Sequence, residues 1–356
     1  MTTPAVSALV ANSISLIRRE QHPSGSYPAC PSYPTYRYCW FRDGSFIADA
    51  MSRAGEVASA EAFFGWCTRV LTTRSDRIAA LAGAGPGSPR VYLPTRYELD
   101  GGESVTPWAN FQVDGYGTWL RVLVDHCARH RRPVAPYSAA LNLTVDYLNA
   151  VGTLPCYDWW EEFPEQRHTS TLAAVSSGLK AALSSEALTS DRRGAAVATS
   201  GEIDRLVAAD TRRHGRLGKW LGSDVADGSL LACLTSYGTL AVDDPVAERT
   251  VAAIRDSLVR EGVYRYAGDT FYGGGEWINL TAWLGWYEVL RGDSSNARRR
   301  LDWIASQADG GLLPEQVTGR AQRPEHIAHW ERTWGAVATP LLWSHAMFLT
   351  LATACR

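Results

Sequence analysis

Apolar positions along the chain recur mainly at the three-to-four-residue spacing of an amphipathic helix, and alternating strand-like runs are few and short. Val6, Val10, Ile14 and Ile17 mark one such stripe. Thr3 stands before it as an N-cap and Pro4 at the first helical position, where a fixed φ and a missing N–H cost nothing. Thr339 and Pro340 introduce a last run from Leu341 to Ala354 in the same way. Between these ends the spacing predicts ten more helices, with cores near 44–54, 57–73, 111–130, 137–152, 169–190, 193–212, 229–237, 245–260, 277–291 and 294–308.

The connections alternate in length. Those near 20–43, 74–110, 153–168, 213–228, 261–276 and 309–338 are long and rich in Gly, Pro and aromatic residues, whereas those near 55, 133, 191, 240 and 292 are brief. In an up-and-down arrangement every second connection lies at one end, so the long loops should share a face and hold the site. Twelve helices in six hairpins closing on themselves predict an all-α (α/α)6 barrel. An open solenoid is the competing architecture, but its fixed-period self-similarity is missing.

At 356 residues the chain is long for one domain, yet no linker or composition shift divides it, so a single barrel over 1–356 is expected. With 35 basic and 37 acidic residues it has no charge excess to attract nucleic acid or an anionic membrane, which favours a small neutral substrate. Seven scattered cysteines without Cys-x-x-Cys spacing argue against a disulfide framework or a thiolate zinc site. With no leader-like start and no apolar stretch approaching a membrane span, a cytoplasmic location is expected.

The chemistry concentrates in the long loops. Glu161 and Glu162 sit in Cys156-Tyr157-Asp158-Trp159-Trp160-Glu161-Glu162-Phe163, and Glu315 stands alone in Gly311-Leu312-Leu313-Pro314-Glu315-Gln316. Cleaving a glycosidic bond needs one protonated and one ionised carboxyl, and indole faces provide platforms for sugars. Adjacent carboxylates repel, and burial against Trp160 would push one of them upward, as a general acid requires. Their plain alternative is an exposed acidic pair.

Tyr36-Arg37-Tyr38-Cys39-Trp40-Phe41-Arg42-Asp43 precedes a helix, where Asp43 could simply cap, or join Arg42 in binding sugar hydroxyls. Asp114, in Asn110-Phe111-Gln112-Val113-Asp114, could be a first-turn acid or a ligand for hydroxyls. In the stretch 263–277, Gly273-Gly274-Gly275 lacks any nucleotide-binding pattern, so its glycines would let backbone approach a ligand while Arg265, Asp269, Glu276 and Trp277 face it. His326 and His329 lack His-Glu-x-x-His spacing and an outside ligand, so no metal or cofactor is expected.

Together, Tyr-x-Tyr-x-Trp-x-Arg-Asp at 36–43, Asp-x-Trp-Glu-Glu at 158–162, Arg-Tyr-x-x-Asp with Gly-Glu-Trp at 265–277, Leu-Pro-Glu-Gln at 313–316 and Trp-Ser-His-Ala at 343–346 resemble glycoside hydrolase family 15, in family order. The resemblance implies an (α/α)6 barrel and an inverting exo-acting α-glucosidase. By it, Glu161 is the general acid, Glu315 the base that activates water, and Glu162 a contact to hydroxyls near the acid. Arg42, Asp43 and Arg265 grip the terminal glucose with help from the backbone at Trp159. Tyr36 and Trp40 lie near the developing oxocarbenium ion, Trp277 shapes the acceptor side, and Ser344 orients the base through a hydrogen bond. Inversion asks for carboxyls ~6.5–9.5 Å apart.

Trp159 and Leu342 depart from the Leu and Thr common at those positions, and a barrel without an amino-terminal β-sandwich is expected. The long Glu315–Ser344 interval, with Trp330 and Trp334 inside it, would narrow the acceptor side toward short substrates. The bare barrel is similar to bacterial isomaltose glucohydrolases, which suggests α-1,6 linkages. A trehalase, a short-maltodextrin glucosidase and a non-catalytic sugar-binding barrel are the alternatives.

Overall fold

A computed structural model describes residues 3–84 and 92–356. Its helices, in chain order, are α1 (Pro4–Glu20), α2 (Phe41–Arg53), α3 (Val57–Thr72), α4 (Ser75–Ala84), α5 (Asp114–His130), α6 (Ser138–Val151) and α7 (Thr169–Ser184). There follow α8 (Ser190–His214), α9 (Leu230–Leu234), α10 (Pro245–Leu258), α11 (Ile278–Leu290), α12 (Ser294–Ser306), α13 (Ile327–Trp334) and α14 (Leu342–Ala354).

Helices α2, α5, α7, α9, α11 and α14 pack each on the next, and α14 returns to α2, so the ring closes and the open solenoid is excluded. Each inner helix carries an outer one: α3 on α2, α6 on α5, α8 on α7, α10 on α9, α12 on α11 and α1 on α14. This is the (α/α)6 barrel. Burial follows the layers. Every residue of α14 from Leu342 to Ala352 is buried, whereas α12 buries only Ala297, Arg300, Leu301 and Ile304. A helix covered all round needs no polar face, which is why the inner helices read as apolar runs and the outer ones as stripes.

The tightest seam joins α5 to α7. A Cβ at Gly117 would lie 2.4 Å from the Ala174 carbonyl oxygen, and one at Gly178 2.3 Å from that of Gly117, so the two backbones touch where no larger residue fits. Phe46 of α2 lies at the barrel axis, stacked on Trp343 at 5.6 Å between centroids and edge-on to Trp283 and Trp159 at 5.1 and 5.9 Å. These rings form the floor beneath the long loops.

Several boundaries differ from expectation. Helix α2 begins at Phe41, before the expected 44, so Arg42 and Asp43 occupy its first turn and Asp43 is not its cap. Helix α7 stops at Ser184, because the Asn142 side chain binds the Ala187 carbonyl and the Thr189 N–H and stabilises a turn there. Pro340 follows a cis peptide and lies outside α14, whose N-cap is Leu341. Helix α4 lies in the expected loop 74–110, with Ile78 and Leu81 buried as its apolar side, and residues 85–91 of that loop are outside the described residues. Helix α13 likewise occupies part of the last long loop.

Two short antiparallel ribbons stiffen the loop face: β1 (Cys39–Trp40) with β2 (Arg96–Tyr97), and β3 (Glu276–Trp277) with β4 (Gln316–Val317). Among the described residues no helix is long and apolar enough to cross a membrane.

Candidate active site

Trp40, extended at the end of β1, hands the chain to α2, and the first turn of that helix carries Arg42 and Asp43 into the barrel mouth. Arg42 donates to Gln112 Oε1 at 2.7 Å and lies 3.3 Å from Asp43 and 3.5 Å from Asp114. Burial works against its charge, yet Asp43, Asp114 and Glu161 hold its guanidinium above the ordinary value. Burial also pushes Asp43 up to about 6, against the pull of Arg42.

The turn at 158–163 is built around Asp158. One oxygen of its carboxylate accepts the N–H groups of Trp160 and Glu162, both at 2.9 Å. Below it Lys219 lies 3.2 Å from Asp158 and 3.0 Å from Asp227, and Asp227 accepts the Trp160 indole N–H. This buried network, in which the fourth long loop takes part without lining the pocket, holds Glu161 and Phe163 at φ +66° and +51°. Such left-handed residues cost on the order of 1–3 kcal/mol each and persist only where their surroundings dictate them.

The turn makes the two neighbouring glutamates diverge, so they do not face each other as their adjacency suggests. Glu161 Oε1 accepts three N–H groups, from Trp108 at 2.8 Å, Trp40 at 2.9 Å and Gln112 at 3.1 Å. That anchors one oxygen of the carboxyl. Glu162 turns to Tyr266, whose hydroxyl donates to it at 2.7 Å, and burial raises it while Arg265 opposes.

Glu315 precedes β4, its N–H bound to the Ala338 carbonyl at 2.9 Å. Ser344, expected to orient the base through a hydrogen bond, donates to the Pro314 carbonyl at 2.8 Å, so it fixes the backbone just before Glu315. The next residue, His345, accepts the Leu313 N–H at 2.9 Å. Burial pushes Glu315 up to about 8; Arg265 and the Tyr36 hydroxyl lower it, and Asp43 and Asp269 raise it. Its Oε2 is buried without a hydrogen-bond partner.

Both carboxyls line one cavity of about 460 Å³, together with Tyr33, Tyr36, Trp40, Arg42, Asp43, Trp108, Trp159, Trp160, Glu162, Arg265, Phe271, Trp277, Trp330, Trp334 and Trp343. Polar atoms buried here without hydrogen bonds include the indole nitrogens of Trp159, Trp277 and Trp343. Such groups are costly unless a ligand rich in hydroxyls meets them.

Two expected contacts lie elsewhere. Asp269 is buried outside the cavity lining and grips Arg265 with two bonds at 2.5 and 2.7 Å, so it aims that guanidinium. Glu276 accepts the Gly262 N–H at 2.7 Å and serves the local turn. Trp108, Arg96 and Lys219 were not legible in the sequence as site residues, because their roles depend on neighbours distant along the chain. Among the described residues no group of three or more His, Cys, Asp or Glu could hold a metal ion.

Comparison with known proteins agrees with this fold. The profile of glycosyl hydrolases family 15 matches residues 3–302. An isomaltose glucohydrolase from Kribbella flavida is 47% identical over 352 residues, covering 97% of this chain and 91% of that one. A trehalase from Mycolicibacterium smegmatis is 24% identical, covering 89% of this chain and 50% of its own length. A glycosidase variant solved in complex with glucose is 45% identical and superposes with a TM-score of 0.95 over 99% of this chain and 97% of its own. A bacterial glucoamylase complexed with acarbose shares the fold, with a TM-score of 0.74 and 19% identity over 97% of this chain and 55% of its own. The chain is a glycoside hydrolase and belongs to glycosyl hydrolases family 15.

Proposed function

We propose that the chain works as a single catalytic barrel that hydrolyses short α-glucosides with inversion, preferably the α-1,6 bond of isomaltose and short isomalto-oligosaccharides, releasing β-glucose. The observation that carries this reading is the pair Glu161 and Glu315 lining one aromatic-walled cavity that also holds Arg42, Asp43 and Arg265. In this mechanism Glu161, anchored through Oε1, donates a proton from Oε2 to the leaving oxygen. Glu315 takes a proton from water as it attacks the opposite face of the anomeric carbon. Arg42, Asp43 and Arg265 bind hydroxyls of the terminal glucose, and hydroxyls also meet the buried indole N–H groups of Trp159, Trp277 and Trp343.

Burial of Glu315 makes it a strong base once ionised, and the positive charge that develops on the sugar favours that ionised form. Trp108, Trp277, Trp330 and Trp334 wall the acceptor side and favour a short acceptor. The isomaltose glucohydrolase of Kribbella flavida, at 47% identity, supports the α-1,6 preference. Seven free cysteines, six of them buried, suit a reducing cytoplasm.

A proton NMR time course with isomaltose tests the reading. Early β-glucose is expected; early α-glucose overturns the roles of the two glutamates. Hydrolysis of trehalose or maltose in preference to isomaltose would overturn the linkage alone.

A further inference from the structure

Arg96 belongs to none of the motifs and does not line the cavity, yet it is among the most deeply buried charges in the barrel, 2% exposed. The β1–β2 ribbon places it directly opposite Trp40. Its guanidinium lies 3.8 Å from the Trp108 ring centroid, 4.1 Å from that of Tyr38 and 5.4 Å from that of Trp40. It is tethered by bonds to the Thr35 carbonyl at 3.2 Å and to Thr106 Oγ1 at 2.7 Å, and among the described residues it makes no ion pair.

What Arg96 does touch is the pair of indoles whose N–H groups both end on Glu161 Oε1. Trp40 and Trp108 meet edge to face at 5.9 Å, and a planar cation lies against both. A guanidinium can stack on several rings while its in-plane N–H groups hold the loop; a lysine ammonium cannot. The guanidinium therefore fixes the angle between the two indoles, and through them the orientation of the acid's carboxyl.

We propose that Arg96 is a positioning residue for the proton-donating carboxyl, acting through Trp40 and Trp108 to hold Glu161 Oε1 and so aim Oε2 at the leaving oxygen. This rests on the reading of Glu161 as the acid. It requires that loss of Arg96 impair proton donation and leave the attack of water intact.

The test compares isomaltose with α-glucosyl fluoride, whose leaving fluoride needs little protonation, in wild type, Arg96→Met, Arg96→Lys and Glu161→Gln. Arg96→Met should lower kcat on isomaltose on the order of 10–100-fold, the scale of a small misplacement of a reacting group, with fluoride turnover held within a few-fold and KM little changed. Arg96→Lys, which keeps the charge and loses the planar stack, should fall between Met and wild type, and it carries the comparison if the Met variant does not fold. An equal loss on both substrates means a merely structural role and overturns the proposal. Glu161→Gln is the control: a selective loss there without one in the Arg96 variants sinks the proposal alone, and no selective loss there sinks the reading of the acid with it.

Discussion

Replacing Glu315 by glutamine should remove turnover and stabilise the protein at the same time. The carboxyl is 4% exposed, one of its oxygens lacks a hydrogen-bond partner, and burial pushes it up to about 8 from the ordinary 4.5. A group that holds its proton more tightly when folded favours the fold fully below its unfolded pKa. That contribution is lost as pH rises from 4.5 through 8. Across the whole window it amounts to roughly 5 kcal/mol, and by neutral pH roughly 3 kcal/mol has gone. Glutamine keeps the shape and does not titrate, so the variant avoids the loss. Urea unfolding of both ligand-free proteins at about pH 5, 7 and 9 should show the variant gaining on wild type by a margin that widens with pH. A difference between the two that stays flat across this range would refute the argument that the cavity stores its energy in this carboxyl.

Other perturbations separate positioning from packing. Gly178→Ala would press a methyl into the Gly117 carbonyl and should cost about 1–3 kcal/mol or more by chemical denaturation. Asp269→Asn leaves the buried Arg265 guanidinium with only the Glu162 carboxylate at 3.9 Å; a loss of about 3 kcal/mol together with raised KM is expected, and unchanged KM would show that Arg265 needs no such aim. Trp334→Ala opens the cavity wall where this ring meets Trp108 at 6.0 Å, and kcat/KM for isomaltose should fall about tenfold, the worth of one aromatic contact, with melting temperature little changed. Relative activity on longer oligosaccharides should rise in the same variant.

The helical spacing and the alternation of long and short connections determined the barrel, because an up-and-down chain leaves few ways to bury such stripes and inner runs. That Glu161, Glu315, Arg42, Asp43 and Arg265 would line one cavity was equally legible, since each lies in a short motif rich in charge and aromatic rings. The partners of Asp269, Glu276 and Ser344 were not. A buried carboxylate or hydroxyl binds whichever donor or acceptor the fold brings nearest, and here those are Arg265, the Gly262 N–H and the Pro314 carbonyl. The divergence of Glu161 from Glu162 depends on left-handed backbone held by Asp158 and Lys219, residues 61 positions apart. The raised pKa of Glu315 depends on burial that five long loops create together. Sequence determined which groups are present and which helices carry them; only the closed ring decided which groups meet, because hydrogen bonding and desolvation depend on distances of a few ångströms between segments far apart in the chain.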